Sequence, residues 1–249
     1  YASGDKPNLH LPVRQQEILE IACGSGKPVV LVLLSGSALA VGWADEHVPA
    51  IVQGWYPGAQ GGRAVARVLF GDKNPEGRLP VTFYRTTEEL PAFTDYSMQG
   101  RTYRYMQTEA LYPFGYGLSY TTFAYTDVAL SSPVVGEEGI TVKAVVTNMG
   151  SRDGAETVQV YVKAVREATP NAQLKAIRKL SLQAGQSQEI TIALPASAFA
   201  LYDTQGINRV EAGNYHVFVG GAQPDGRSEA LTGQKIPPLS VEVRESFVI

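Results

Sequence analysis

The chain has 249 residues, 44% of them hydrophobic and 18% charged, with a formal net charge of −3 at pH 7. Its 21 basic residues are scattered, which excludes the electrostatic footprint of a nucleic-acid binder and a polybasic membrane patch. The single cysteine, Cys23, excludes an internal disulfide and a self-contained zinc site; its expected place is as a small buried apolar residue on a helix. The longest apolar run, Pro28 to Leu34, falls well short of the about 20 residues that span a bilayer, so no membrane partner is expected. Tyr1 to Lys6 has neither a starting Met nor a signal-peptide layout, and a processed or truncated start is the expectation.

In chain order, Val13 to Cys23 carries apolar residues among good helix formers and closes on Gly24, which predicts a helix. Pro28 to Leu34 is an unbroken β-branched and leucine run, the pattern of a strand buried on both sides of a parallel sheet. A loop with Trp43 and Asp45-Glu46-His47 leads to a second short strand within Val48 to Tyr56. Pro57 to Gly62 then opens a helix over Arg63 to Phe70, giving the alternation of an α/β layer. Asp72 to Pro80 reads as a turn, and Val81 to Tyr84 as an edge strand. Two strands and two helices cannot cover their own faces, so this portion reads as the second half of a domain.

The stretch from Gly100 to Phe123 divides the chain. Seven of the 13 tyrosines fall between Tyr96 and Tyr125, interleaved with Pro113, Gly115 and Gly117. Glycine permits positive φ, proline fixes φ, and the rings supply buried area with a hydroxyl that needs a partner. The expectation is an ordered aromatic connector whose rings clamp what lies on either side.

Beyond Phe123 the period becomes two. Val142, Ala144 and Val146 alternate with polar neighbours in Ile140 to Asn148, as do Val158, Val160 and Val162 in Thr157 to Lys163, predicting one face in the core and the other in water. Further strands are expected at Ile177 to Leu182, Glu189 to Leu194, Phe199 to Tyr202, Tyr215 to Val219 and Leu239 to Val243, with turns at Asn148-Met149-Gly150, Ala184-Gly185, Asp203 to Gly206, Ala212 to Asn214 and Gly220-Gly221. About seven short strands without a cysteine pair point to a β-sandwich of immunoglobulin or fibronectin type III kind. The fold class is therefore α/β plus all-β: residues 1–95 form the second half of an α/β sandwich domain, 96–123 the aromatic connector and 124–249 a fibronectin type III-like β-sandwich.

None of the candidate chemistry names a reaction by itself. Gly58 to Gly62 before a helix matches neither phosphate-loop spacing nor the dinucleotide fingerprint and reads as a tight strand-to-helix crossover. The adjacent carboxylates Asp45-Glu46, Glu88-Glu89 and Glu137-Glu138 are sequence neighbours that point apart, whereas glycoside chemistry needs two carboxyl groups facing one bond. His10, His47 and His216 lack metal-ligand spacing, and no metal or cofactor is expected. Ser35-Gly36-Ser37 and Ser97 lack the glycine-flanked nucleophile elbow. Trp43, Trp55, Tyr56 and the connector tyrosines are the rings on which a sugar face can stack, with core packing the alternative for each.

Ordered blocks of the chain resemble the C-terminal half of glycoside hydrolase family 3. They are Val29 to Ala40, Val48 to Gly58, Val68 to Asp72, the Asn-Pro-x-Gly-Arg-Leu-Pro run Asn74 to Pro80 with Val81 to Phe83, and Tyr-Pro-Phe-Gly-Tyr-Gly-Leu-Ser-Tyr at Tyr112 to Tyr120. Thr147 to Gly150, Val158 to Val162 and Tyr215 to Gly220 look like the family's fibronectin type III-like domain. Asp95 to Met98, Gly100 to Tyr105 and Ser35 to Val41 look more like the β-xylosidase branch than the β-glucosidase branch.

The resemblance implies an exo-acting retaining glycosidase, with two carboxyl groups about 5 to 5.5 Å apart. Its nucleophile would be an Asp on a preceding (β/α)8 barrel, and its acid/base a Glu just ahead of the segment resembling Gly4 to Pro12. The expected partners are therefore the barrel-containing part of the enzyme and an oligosaccharide, with no catalytic residue in this chain. Lys6 stands where the family usually has Arg, which weakens any bidentate pairing there. Tyr96 and Arg101 are the candidates for the rim of the sugar site. A secreted or periplasmic address follows by the same analogy. A non-catalytic carbohydrate-binding module and a structural interaction fragment stay open as other readings.

Overall fold

The computed structural model describes residues 6–167, 169–203 and 205–249. The start of the Gly4 to Pro12 segment and Thr204 of the Asp203 to Gly206 turn lie outside the described residues. The chain divides into two compact units, one of residues 1–73, 81–102 and 106–112, the other of residues 74–80, 103–105 and 113–249.

The first unit carries helix α1 (Val13–Gly24), strand β1 (Val30–Leu33), helix α2 (Gly42–His47), strand β2 (Ala50–Gln53) and helix α3 (Gly61–Leu69). β1 and β2 pair in parallel, with Val30 opposite Ala50 and Leu33 opposite Gln53. The β1 run was expected to be buried on both sides, but only Leu33 is buried and Val30 and Leu34 are exposed, because nothing among the described residues covers those faces. α1 likewise buries only Leu19 and leaves Val13, Ile18 and Ile21 in water. Cys23 sits on that helix as expected, half-buried rather than buried.

Three further expectations change here. The loop around Trp43 is helical, forming α2; its His47 ring stacks on Trp43 at 4.3 Å and its Nδ1 meets the Trp43 carbonyl at 2.8 Å, a turn no cap or long period announces. The Val48 to Tyr56 strand shrinks to Ala50–Gln53, since Val48 closes α2 by donating to Ala44, Pro49 has no N–H, and Trp55 turns to positive φ. Val81 to Tyr84 is not an edge strand. Phe83 makes an isolated bridge to Tyr112, donating to its carbonyl at 2.9 Å and accepting from Leu111 at 2.8 Å. Phe83 and Leu111 are thereby fully buried.

The second unit contains the sandwich, with sheets ordered β11-β10-β5-β6 and β3-β4-β7 and a small β12-β9-β8 sheet. The strands are β3 (Phe123–Leu130), β4 (Ile140–Asn148), β5 (Gly154–Ala164), β6 (Gln173–Leu182), β7 (Ser187–Leu194), β8 (Leu201–Tyr202), β9 (Asn208–Val210), β10 (Gly213–Gly220), β11 (Leu239–Val243) and β12 (Phe247–Val248). Alternation does its expected work in β4, where Val142, Ala144 and Val146 enter the core against Val158, Val160 and Val162 of β5 and Ile190, Ile192 and Leu194 of β7. The expected strand Phe199 to Tyr202 is instead a 3-10 turn, Ala196–Phe199, followed by the two residues of β8. α4 (Gly226–Thr232), unannounced by any long apolar period, is capped by Asp225, whose carboxylate accepts from Ser228 N, and ends at left-handed Gly233.

β5 departs most from its pattern. Its second face was expected to be wet, yet Gln159 and Tyr161 are buried, and so is Glu156 near the start of the strand. The cover comes from residues 74–80 and 113–120, which belong to this unit. Leu79 donates to the Tyr116 carbonyl and Gly115 to the Leu79 carbonyl, both at 2.8 Å, so the two segments pair. Asn74 ties them down: its carboxamide oxygen accepts from Ser119 Oγ and Tyr120 N at 2.9 and 2.8 Å, while its nitrogen donates to the Asp153 carbonyl at 3.0 Å. Arg78 reaches Glu156 at 2.7 Å, Glu156 accepts from Tyr125 Oη at 2.8 Å, and Gln159 donates to the Gly115 and Gly221 carbonyls at 2.9 and 2.7 Å. Gly115, at φ +77°, leaves no room for a side chain, since a Cβ there would lie 2.2 Å from Gln159 Oε1. Tyr103 stacks on Phe114 at 4.1 Å and meets Tyr161 edge-on at 6.4 Å.

Candidate functional site

Tyr96 and Arg101, the two rim candidates, lie on one closed loop of the first unit. Asp95 N donates to the Ala92 carbonyl at 2.9 Å, and the Asp95 carboxylate accepts from Ser97 N at 2.8 Å. Those Ser97 N–H and hydroxyl contacts, with the Arg101 charge behind them, hold the Asp95 carboxyl below its ordinary range. Arg101 closes the loop. Its Nη2 donates to the Ala92 and Asp95 carbonyls at 2.7 and 2.9 Å, and its Nε to Asp95 at 3.2 Å.

The backbone bends tightly here: Met98, Gly100 and Thr102 have φ of +65°, +70° and +55°. For Thr102, a β-branched residue, that is a genuine outlier, and its N–H is held by the Tyr84 hydroxyl at 2.9 Å. Arg101 therefore spends its donors on the loop's own carbonyls, while Tyr96, 83% exposed, is the ring the loop presents to solvent.

The carboxylates expected to point apart are separately engaged or exposed. Asp45 accepts from Tyr112 Oη at 2.7 Å, while Glu46 is exposed. Glu89 accepts from Arg85 N at 2.8 Å, and the exposed Glu88 carboxyl is lowered by its own backbone N–H, then by the Thr86 hydroxyl and His10. Glu137 and Glu138 are exposed. Among the described residues no group of three or more His, Cys, Asp or Glu side chains is placed to hold a metal ion. No helix among them is long and apolar enough to cross a membrane.

Sequence reading missed the buried Arg78, Glu156 and Tyr125 network; its signal was a glutamate, at position 156, beside a run of alternating valines. At the carboxyl end of β1 and β2 it named Trp55 and Tyr56 as rings, without the Gln53 to Ser35 hydrogen bonds that pin the turn there.

Comparison with known proteins agrees with this architecture. Residues 2–120 match the glycosyl hydrolase family 3 C-terminal domain, and residues 156–223 match a fibronectin type III-like domain. The chain is 40% identical to a xylan 1,4-beta-xylosidase of Xylanibacter ruminicola over 236 residues, covering 93% of this chain and 27% of that enzyme. It is 36% identical to the periplasmic beta-glucosidase of Salmonella typhimurium, covering 88% of this chain and 31% of that enzyme. Among solved structures, beta-glucosidase 3B from Thermotoga neapolitana, in complex with alpha-D-glucose, superposes with a TM-score of 0.84 at 31% identity, covering 98% of this chain and 36% of that one. The beta-glucosidase from Listeria innocua in complex with isofagomine gives 0.82 at 30% identity, over 97% and 34%. The chain thus spans about 30% of the length of the curated relatives it matches. With a glycosyl hydrolase family 3 C-terminal domain followed by a fibronectin type III-like domain, the chain belongs to glycoside hydrolase family 3.

Proposed function

We propose that the chain works as the C-terminal part of a retaining exo-acting β-glycosidase, releasing terminal β-linked sugars from oligosaccharides in combination with a (β/α)8 barrel. The observation that carries this reading is the match of both domains, in order, to a part of much longer enzymes. β-Xylosides are the proposed substrates, supported by the 40% identity to the Xylanibacter ruminicola enzyme. β-Glucosides are the second reading, favoured by the 36% identity to the Salmonella typhimurium enzyme.

In this reading both catalytic carboxyl groups come from outside the chain, a nucleophilic Asp on the barrel and a Glu acid/base ahead of residue 1. The separate engagement of Asp45 and Glu89 supports that assignment. The chain's part is to close the site. Tyr96 stands at its rim, offering an exposed ring face to a sugar, and Arg101 holds the loop that presents it. A secreted or periplasmic address is proposed with it, in keeping with the Salmonella typhimurium relative.

The test is to produce the chain together with the barrel and assay aryl β-xylosides against aryl β-glucosides. Hydrolysis with retained anomeric configuration is expected, faster on the xyloside. No hydrolysis of either by a verified complex contradicts the reading.

A further inference from the structure

A second sugar-facing feature lies at the carboxyl end of the two parallel strands β1 and β2. In open α/β sheets that end is where ligands gather, since the loops leaving the strands converge there. The parallel pairing runs one step beyond β2, with Gly54 N donating to the Leu33 carbonyl at 2.8 Å. There the chain breaks conformation: Trp55 sits at φ +53°, a region that bulky side chains avoid.

The turn sends the two aromatic side chains in different directions. Trp55 is half-buried and meets Phe83 edge-on at 6.2 Å, whereas Tyr56 is 81% exposed. A backbone outlier that turns one ring inward and the next outward is the kind of strain that marks a functional position.

The surface beneath Tyr56 is also shaped. The phenol end of its ring closes on Gly36, where an added Cβ would lie 2.4 Å from Cε2 and 2.8 Å from Oη and would push the ring aside. Gly36 belongs to the turn after β1, which is pinned from both sides. Gln53 Nε2 donates to the Ser35 carbonyl and hydroxyl at 3.3 and 3.2 Å, and Ser35 Oγ donates to the Ser37 carbonyl at 2.8 Å. The carbonyl contact fixes the orientation of the Gln53 carboxamide, because flipping it would set oxygen against oxygen. Gln53 Oε1 is then a buried acceptor with no partner among the described residues. Such an atom is one donor short, the condition of a site completed by a water or a bound hydroxyl.

We propose that this end of β1 and β2 is a carbohydrate-binding subsite, in which Tyr56 is the stacking platform and a sugar hydroxyl or the water it carries completes Gln53. An exposed ring lying over a glycine presents a flat apolar surface, which suits the C–H face of a pyranose. Ser35 and Gln53 are positioning residues, and Gly36 sets where the ring lies. The sugar class rests on the proposed function; the geometry of the site does not.

The test is calorimetric titration with xylotriose and cellotriose of the chain combined with its barrel, in the wild type and in the variants Tyr56→Ala, Tyr56→Phe and Gly36→Ala. Tyr56→Ala is expected to weaken binding by about tenfold, the size of a lost stacking contact, and Tyr56→Phe to keep it. Gly36→Ala, which moves the ring without altering it, is expected to weaken binding as well. Absence of trisaccharide binding by the wild type, or affinities within twofold of it for both Tyr56→Ala and Gly36→Ala, would overturn the proposal. Aryl-glycoside turnover of the wild-type complex is measured on the same preparation: binding that survives without turnover counts against the proposed function alone, and turnover without a Tyr56-dependent binding event counts against this subsite alone.

Discussion

Arg78 and Glu156 form an ion pair of 2.7 Å with side chains only 10% and 4% exposed. The arginine comes from the Asn-Pro-Glu-Gly-Arg-Leu-Pro turn and the glutamate from near the start of the sandwich's longest strand. The pair is fully dressed: Arg78 Nε donates to the Gly221 carbonyl at 3.3 Å and Tyr125 Oη donates to Glu156 at 2.8 Å. Charges this far from water stabilise only when paired, and removing one partner strands the other. Arg78→Ala or Glu156→Ala is therefore expected to destabilise the second unit by about 3 to 5 kcal/mol. Gly221→Ala should act through the same pair, because its Cβ would lie 2.2 Å from Glu156 Oε1. Denaturant titration checks this, and a loss under about 1 kcal/mol for either member of the pair would show it to be ornamental.

The same network makes the unit sensitive to alkali. Burial pushes the Tyr125 hydroxyl well above its ordinary value, the Glu156 charge adding to it, and burial does the same for Tyr161. A folded state that keeps a proton the unfolded chain has lost is destabilised as pH rises. Stability contributed by these two groups is thus full below about pH 10 and is lost above it, at about 1.4 kcal/mol per pH unit for each. Phenolate absorbance read against pH should show Tyr125 and Tyr161 holding their protons until the sandwich unfolds. Titration of both near pH 10 with the fold intact contradicts the assignment.

Arg101 should matter to order in its loop more than its charge suggests. It makes three hydrogen bonds to the carbonyls of Ala92 and Asp95, with a planar fork that lysine cannot copy. Both Arg101→Ala and Arg101→Lys are expected to raise amide exchange across residues 95–101 by about tenfold or more. Exchange at the wild-type rate in either variant would mean that the loop is held by its turns alone.

Taken by itself, the first unit should be weakly ordered. Val13 and Ile21 are each 75% exposed and Phe70 84%, so the helices and the two-stranded sheet leave their apolar faces in water. Hydrogen exchange on the chain alone should find residues 13–70 poorly protected and the sandwich strands well protected. Strong protection of β1 and β2 in isolation contradicts this.

Much of the sandwich was legible because its period is local: Val142, Ala144 and Val146 alternate, and they line the core. The buried second face of β5 was not, since its cover lies far along the chain at Asn74 to Pro80 and at Pro113 to Tyr120, and period alone reports that Gln159 and Tyr161 share a face without saying what lies over it. Short turns such as α2 escaped for want of a cap or a period long enough to register. At the candidate rim, Tyr96 and Arg101 could be named from their block of sequence. The division of labour between them, one presented and one consumed by carbonyls, needed the backbone bend at Met98 and Thr102.

The central claim is that this chain completes a β-glycosidase rather than performing the reaction itself. It is tested most directly by assaying aryl β-xyloside hydrolysis for the chain alone, for the barrel alone and for the two together. The account predicts turnover only when both are present, with configuration retained. Turnover by the chain alone, or none by a verified complex, would contradict it.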